Sequence, residues 1–337
     1  MRYVPDNDAW VTEDVSISSR DDAMHRRAAS LAIFPLFVAA LGAFALHAPR
    51  WDVARLVRAP ASANDILILL AALGLFYPLV ALLERWLPHR GEWRRSQGDV
   101  RVDVLHLLFT GTVANALFAV TLLGAFIAAG TWLSSRVGGA LWPLGWPPLA
   151  QLALALALAE LGHYVYHRIS HEWSWVWPLH AVHHSATRLY WLNATRFNIL
   201  DLFFLLSLQT LPLIVLGADR AAFLSYTIFA AVYGQLQHCN VELRTGPLDW
   251  IFSTPGLHRW HHSLDSREGN HNYGAILSCW DLLFWSFLRP RDRAFTGPIG
   301  IAALPRFPSS YLGQQLAPLR WGRIRRENAA GVRPAPR

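Results

Sequence analysis

The sequence predicts an all-α integral membrane protein, a transmembrane helical bundle of about six spans capped by a histidine-rich domain. Three observations carry this expectation. Apolar residues make up 53% of the 337 and charged residues only 16%, well below the roughly 25% charged of a soluble chain. Six stretches are apolar over the ~20 residues that a helix needs to cross a hydrocarbon core of about 30 Å. Eleven of the 15 histidines fall between residues 163 and 271, and nine of those stand in spaced groups.

The spans are expected near residues 29–47, 64–83, 104–129, 148–167, 198–217 and 220–237. The third is either one long tilted helix or a helix broken near its glycines. The fifth and sixth are joined only by the turn around Gly217, Ala218 and Asp219, so they form a helical hairpin. Residues 1–28 read as a polar cytoplasmic N-terminus, and 1–22 lack the pattern of a signal peptide. Residues 29–147 read as an N-terminal transmembrane region, 148–290 as the catalytic domain and 291–337 as a cytoplasmic tail. The tail's Arg- and Pro-rich end, from Arg320 to Arg337, is expected to fray or lie on headgroups.

A net charge of +7 would suggest nucleic acid in a soluble protein. Here the arginines flank apolar spans, where they set orientation and meet anionic headgroups, so no nucleic-acid partner is expected. All 30 basic residues are arginine, which we read as the coding bias of a GC-rich bacterial genome and hence a bacterial inner membrane. The two cysteines, Cys239 and Cys279, make no C-x-x-C motif, in keeping with a reducing compartment.

Loop charge sets the orientation. The loop after the second span carries Arg85, Arg90, Arg94, Arg95 and Arg101, whereas the loop after the third carries only Arg136. The first is therefore cytoplasmic. The loop at 48–63, with Arg50, Arg55 and Arg58, then falls outside, against the trend. The fourth span ends at the cytoplasm, the hairpin goes out and returns at His238, and everything after it is cytoplasmic.

Every histidine group then lies on one face of the membrane. His167-x-x-x-His171 follows the fourth span, His180-x-x-His183-His184 comes next, His238 ends the sixth span, and His258-x-x-His261-His262 follows. Residues three and four apart share a helix face, so each triplet presents imidazoles together and could hold most of one metal ion. At this histidine frequency about 0.03 copies of H-x-x-H-H arise by chance, so two copies mark a built site. Neutral imidazole suits iron, zinc, copper and nickel. Nine such nitrogens exceed the ligand set of one ion, so two metals are expected. His25, His47, His89 and His106 read as surface or structural.

Around these groups stand His167-Arg168, Trp177, Ser185, Asn193, Arg196, Gln237-His238-x-Asn240, Thr254-Pro255, His258-Arg259, Ser263, Asn272-Tyr273-Gly274 and Trp280-Asp281. In order and spacing, residues 160–287 resemble the sterol desaturase and fatty acid hydroxylase superfamily, membrane histidine-box di-iron oxygenases. The resemblance implies that His167, His171, His180, His183, His184, His238, His258, His261 and His262 ligate two iron ions. It implies O2 as co-substrate and hydroxylation, or less often desaturation, of a membrane lipid. No cytochrome b5 module is visible, so electrons must come from a separate protein, a ferredoxin or a cytochrome b5-like donor with its reductase. The chain departs from the family at Asn198, where many members have histidine, and at Phe284-Trp285-Ser286 after Trp280-Asp281.

Glu160, inside the fourth span, is either an outer partner that orients a ligand imidazole or a helix-packing hydrogen bond. His163 is expected beside the metals rather than on them, and Asn240 could hold a metal-bound water. Arg168, Arg196 and Arg259 would pair with carboxylates or lipid phosphate, and His271 is peripheral. Trp173, Trp175 and Trp177 read as an interface anchor, and 272–288 as a segment along the membrane surface. Two rival functions remain open at this level. One is a zinc-dependent membrane lipid hydrolase, for which His171-Glu172 is the nearest approach to H-E-x-x-H. The other is a non-enzymatic metal-binding membrane protein. The choice of lipid and the oligomeric state are not written in these motifs.

Overall fold

A computed structural model of the chain describes residues 2–4, 9–11, 17–290 and 293–329. Apart from a short antiparallel pair, β1 (Arg2–Val4) and β2 (Ala9–Val11), its regular structure is helical, as lipid demands of a chain that must satisfy its own backbone groups. The helices begin with α1 (Ile17–His47) and α2 (Asn64–Trp86). Then α3 (Val100–Leu105) runs through a π turn at His106–Thr110 into α4 (Gly111–Thr121) and α5 (Leu123–Val137). The long helix α6 (Pro148–Glu172) leads to the short α7 (Trp177–His184). The hairpin is α8 (Ile199–Leu216) and α9 (Arg220–His238). After it come α10 (Pro255–His261), α11 (Tyr311–Gln315) and α12 (Trp321–Ala329).

Five stretches have the length and composition of membrane spans: Met24–Arg50, Ala61–Trp86, Val100–Thr121, Pro148–Glu172 and Ile199–Leu216. The sixth expected span is α9, which is as long as α8 but more polar. It packs against α1, α2 and α6, and its buried face carries Tyr226, Tyr233, Gln235 and Gln237. Its surroundings are protein rather than lipid, which lets it carry those groups. The third expected span breaks at Leu122, two residues before Gly124.

Local chemistry fixes the ends that matter. Pro148, Pro178 and Pro255 open α6, α7 and α10, where a missing N–H costs nothing. The Asn198 side chain accepts from Leu200 N to cap α8, and Asp219 does the same for Ala222 N on α9. Gly217 ends α8 with φ of 79°, which a residue with a Cβ adopts only at a cost. Where α6 crosses α8, a Cβ on Gly162 would stand 2.1 Å from the Leu208 carbonyl oxygen. Only glycine allows the crossing that puts the end of α6, with His167 and His171, beside the start of α8.

The C-terminal region differs from the fraying tail expected. The His106 ring meets Gln314 Oε1 at 2.8 Å, and Asn198 Nδ2 donates to the Gln315 carbonyl. Ile324 on α12 buries itself in a small core with Leu304 and Ala317. Residues through Ala329 therefore fold back on the bundle, and the expectation for 330–337 lies outside the described residues. The tryptophans also divide: Trp173 and Trp175 are exposed, while the Trp177 ring packs 5.2 Å from that of His171 and 5.6 Å from that of His184.

Candidate metal centre

The end of α6, all of α7, the end of α9 and all of α10 converge, and they bring the nine histidines together. All are buried except the half-buried His171. They sort into two groups whose potential ligand nitrogens lie within 4.8 Å of one another. One holds His167, His171, His180, His184 and His261; the other holds His183, His238, His258 and His262.

This sorting corrects the expectation that one triplet serves one ion. Each H-x-x-H-H segment is divided. His180 and His184 go to the first group while His183 goes to the second; His258 and His262 go to the second while His261 goes to the first. Helix geometry explains it. At 100° per residue, position i+4 lies about 40° from i, whereas i+3 lies about 60° away on the other side. The i, i+4 pair therefore chelates, and the i+3 ring turns to the neighbouring group. The stacked rings of His184 and His262, with centroids 4.3 Å apart, join the two.

The outer nitrogens are held by acceptors. His167 Nδ1 lies 2.6 Å from the Tyr273 carbonyl and His261 Nδ1 2.8 Å from the His271 carbonyl. His183 Nδ1 lies 3.3 Å from the Arg196 carbonyl. His180 Nδ1 is 2.9 Å from Asp201 Oδ2, and His238 Nδ1 is 3.1 Å from Asn193 Oδ1. Carbonyl and carboxylate oxygens only accept, so in these five rings Nδ1 carries the proton and Nε2 presents a lone pair inward.

The inward nitrogens of the two groups differ in their partners. In the first group the Nε2 atoms of His167, His171, His180, His184 and His261 are all buried without a hydrogen bond. In the second, His258 Nε2 lies 2.8 Å from His238 Nε2 and 3.0 Å from His262 Nε2. Nitrogens bound cis to one ion at about 2.1 Å stand about 3 Å apart. Five orphaned acceptors and a cluster at coordination spacing fit a pair of cations, since unpaired buried polar atoms are otherwise costly. Burial holds the imidazoles of His180, His183, His184, His258, His261 and His262 well below their usual pKa of 6.5. They are neutral near pH 7, the form that binds metal.

The remaining expected residues take other parts. Glu160 touches no imidazole: its Oε2 accepts from the backbone N–H groups of Ala275, Ile276 and Leu277. It thereby fixes the segment beginning at Tyr273, whose carbonyl orients His167. His163 lies outside both groups, its ring 5.3 Å from that of His167. Asn240, expected to hold a metal-bound water, accepts from Arg90 N and donates to the Arg90 carbonyl; its amide is spent on closing a loop. His271 contributes its carbonyl alone. Arg168 pairs with Glu172 and Arg196 with the buried Asp103. Arg259 pairs with no carboxylate among the described residues and donates to the carbonyls of Cys239 and Val241.

Sequence reasoning missed Asp201, 21 residues beyond His180, whose other oxygen accepts from the Tyr166 hydroxyl at 2.7 Å. An acidic residue in the first turn of an apolar span was the available signal. Two cavities flank the centre. One, of about 740 Å³, lies between His171, His184, His261 and the C-terminal residues Trp321, Arg325 and Asn328. The other, of about 720 Å³ and mostly apolar, reaches His167, His180, His183, His238 and His258 from among the spans. Along α9 it runs from Phe223 to His238, fifteen residues or about 22 Å of helix.

The Fatty acid hydroxylase family model matches residues 152–286. The ornithine lipid hydroxylase OlsE of Rhizobium tropici is 39% identical over 257 residues, 76% of this chain and 76% of the relative. An alkylglycerol monooxygenase of Danio rerio is 31% identical over 150 residues, 44% of this chain and 33% of the relative. Its Homo sapiens counterpart is 28% identical over 139 residues, 41% and 31% of the two chains. No solved structure matches the chain.

Proposed function

Because the chain belongs to the fatty acid hydroxylase family, we propose that it is a membrane lipid hydroxylase whose nine histidines hold two iron ions. The observation that carries this reading is the convergence of nine imidazoles in two groups, five of them with unpartnered Nε2 atoms, beside an apolar cavity. Iron so bound supplies the activation of O2 that attack on an unactivated C–H bond requires.

The chain's own residues prepare that chemistry. The apolar cavity admits a lipid from the side and excludes water from the reacting carbon. The backbone carbonyls of Tyr273, Arg196 and His271, with Asp201 and Asn193, hold the imidazole tautomers so that each ring aims its lone pair inward. Tyr166 braces Asp201, and the Arg196–Asp103 pair braces the carbonyl on which His183 rests. All-neutral ligands would leave the metal charge uncompensated within the groups, and Asp201, bonded to His180, sets a carboxylate against it.

Two electrons must arrive from a separate redox protein, of ferredoxin or cytochrome b5-like type. The arginine-rich loop around Arg85, Arg94 and Arg95 supports a cytoplasmic centre in a bacterial inner membrane, within reach of such a donor. A zinc hydrolase would need a free carboxylate base beside its metal. Of the carboxylates nearby, Glu160 gives its Oε2 to three backbone amides, Asp201 is engaged by His180 and Tyr166, and Glu172, beside His171, is paired with Arg168.

The test is isotopic. The iron-loaded protein, in vesicles of bacterial lipid extract with reductant and an electron-transfer protein, is given 18O2. Hydroxylated lipid carrying 18O is the expected product. Lipid cleavage that proceeds without O2, or product oxygen drawn only from water, overturns the reading.

A further inference from the structure

The apolar cavity is not uniformly apolar. Gln235 on α9, three residues before His238, lines it, as do His163 on α6 and Gln209 on α8. Gln235 is 4% exposed and the other two 8%. The Gln235 amide is oriented by its neighbours. The Tyr77 hydroxyl donates to the Ala231 carbonyl, so it must accept from Gln235 Nε2 at 3.2 Å. That leaves Gln235 Oε1 as a buried acceptor with no partner. His163 Nδ1 is likewise buried and unpartnered. An unfilled hydrogen-bonding atom at membrane depth is costly, and neither atom faces the two histidine groups as a member.

We propose that Gln235, with Gln209 and His163 on the facing walls, determines specificity by reading a hydrogen-bond donor on the lipid, an amide N–H or a hydroxyl. This rests on the hydroxylase reading of the same site. Gln235 stands about 4.5 Å along the helix axis from His238, so the polar group it holds sits a few bonds from the carbon presented to the metals. An ester or ether linkage offers only acceptors and by itself leaves Gln235 Oε1 unfilled. A secondary amide fills it, and its carbonyl can take a donor from Gln209 at the next rung down. The glutamines thus set which lipid binds and which carbon is offered.

The experiment uses phosphatidylcholine vesicles holding the full-length protein and three probes with the same hexadecanoyl chain. The linkage is a secondary amide in the first and an ester in the second; the third is the ester with a hydroxyl on its chain. Two readouts run in parallel: thermal stabilisation of the metal-free protein by each probe, and hydroxylated product from the iron-loaded protein. The wild type is expected to favour at least one donor-bearing probe over the plain ester roughly tenfold or more. Amide against hydroxyl identifies the source of the donor. Gln235→Leu is expected to bring that preference near unity, and Gln209→Leu, which leaves the Tyr77 contact intact, to lower it for the amide and shift the position hydroxylated. Equal binding of all three probes by the wild type overturns the proposal, as does an unchanged preference in both variants. Discrimination in binding without any O2-dependent product would instead overturn the hydroxylase reading and leave the glutamines' role standing.

Discussion

At the scale of the residue, the site is a set of imidazoles held from behind. Asp201 makes the contact least replaceable by solvent, because both its oxygens are buried and engaged, with His180 and with Tyr166. Asp201→Asn keeps the shape but turns an N–H toward one of these donors. Loss of such an outer partner typically costs 10- to 100-fold in metal affinity or activity, and metal titration of the purified variant should read a loss of that size. His258→Ala removes a nitrogen from the second group only, so iron content should fall by about one ion per chain with the first group still filled. The grouping of the histidines was legible in the sequence because the pairing of i with i+4 on a helix is local. The supports were not. They are backbone carbonyls, or side chains such as Asp201 and Asn193 that reach the histidines only through the tertiary fold. Asn240 shows the converse: it sits two residues from His238, yet its side-chain amide is bonded to the backbone of Arg90.

At the scale of the element, short helices do the sorting. Because α7 and α10 each divide their triplet between the groups, the two groups share a scaffold, and unwinding either helix, unlike removal of a single ring, should disrupt both. The metal-free protein should also be acid-labile. Burial lowers the pKa of the rings on these helices below 6.5. Between the lowered values and 6.5 the unfolded chain binds more protons than the folded one, so stability falls as pH drops through 6.5. A lower Tm at pH 5.5 than at 7.5 is expected; an equal or higher one would contradict it. The α6–α8 crossing gives a further prediction. Gly162→Ala sets a methyl against the Leu208 carbonyl, overpacking that typically costs about 1–3 kcal/mol. It should lower Tm and, by shifting α6, weaken metal binding through His167 and His171. Hydropathy revealed five of the long helices directly. It placed α9 among them as apolar enough to span, whereas the polar residues on the buried face of α9 record that it runs through the middle of the bundle.

At the scale of the molecule, an apolar cavity among the spans meets the histidine cluster, and the C-terminal helices close over that end. The one-sidedness of the histidines followed from counting spans and arginines, since topology is additive along the chain. The folded-back C-terminus did not, because α11 and α12 carry few apolar residues and gain their place through contacts such as Gln314 with His106 and Gln315 with Asn198. Since α12 borders the second cavity through Trp321, Arg325 and Asn328, a stop after residue 316 should uncover His171, His184 and His261. Faster loss of metal to a chelator than from the full chain is the expected result. The claim on which the rest depends is that nine histidines form two metal sites. Its most direct test is metal per chain for the full-length protein loaded with iron and freed of excess. About two irons per chain is the predicted result; one ion per chain, or none retained, would contradict it.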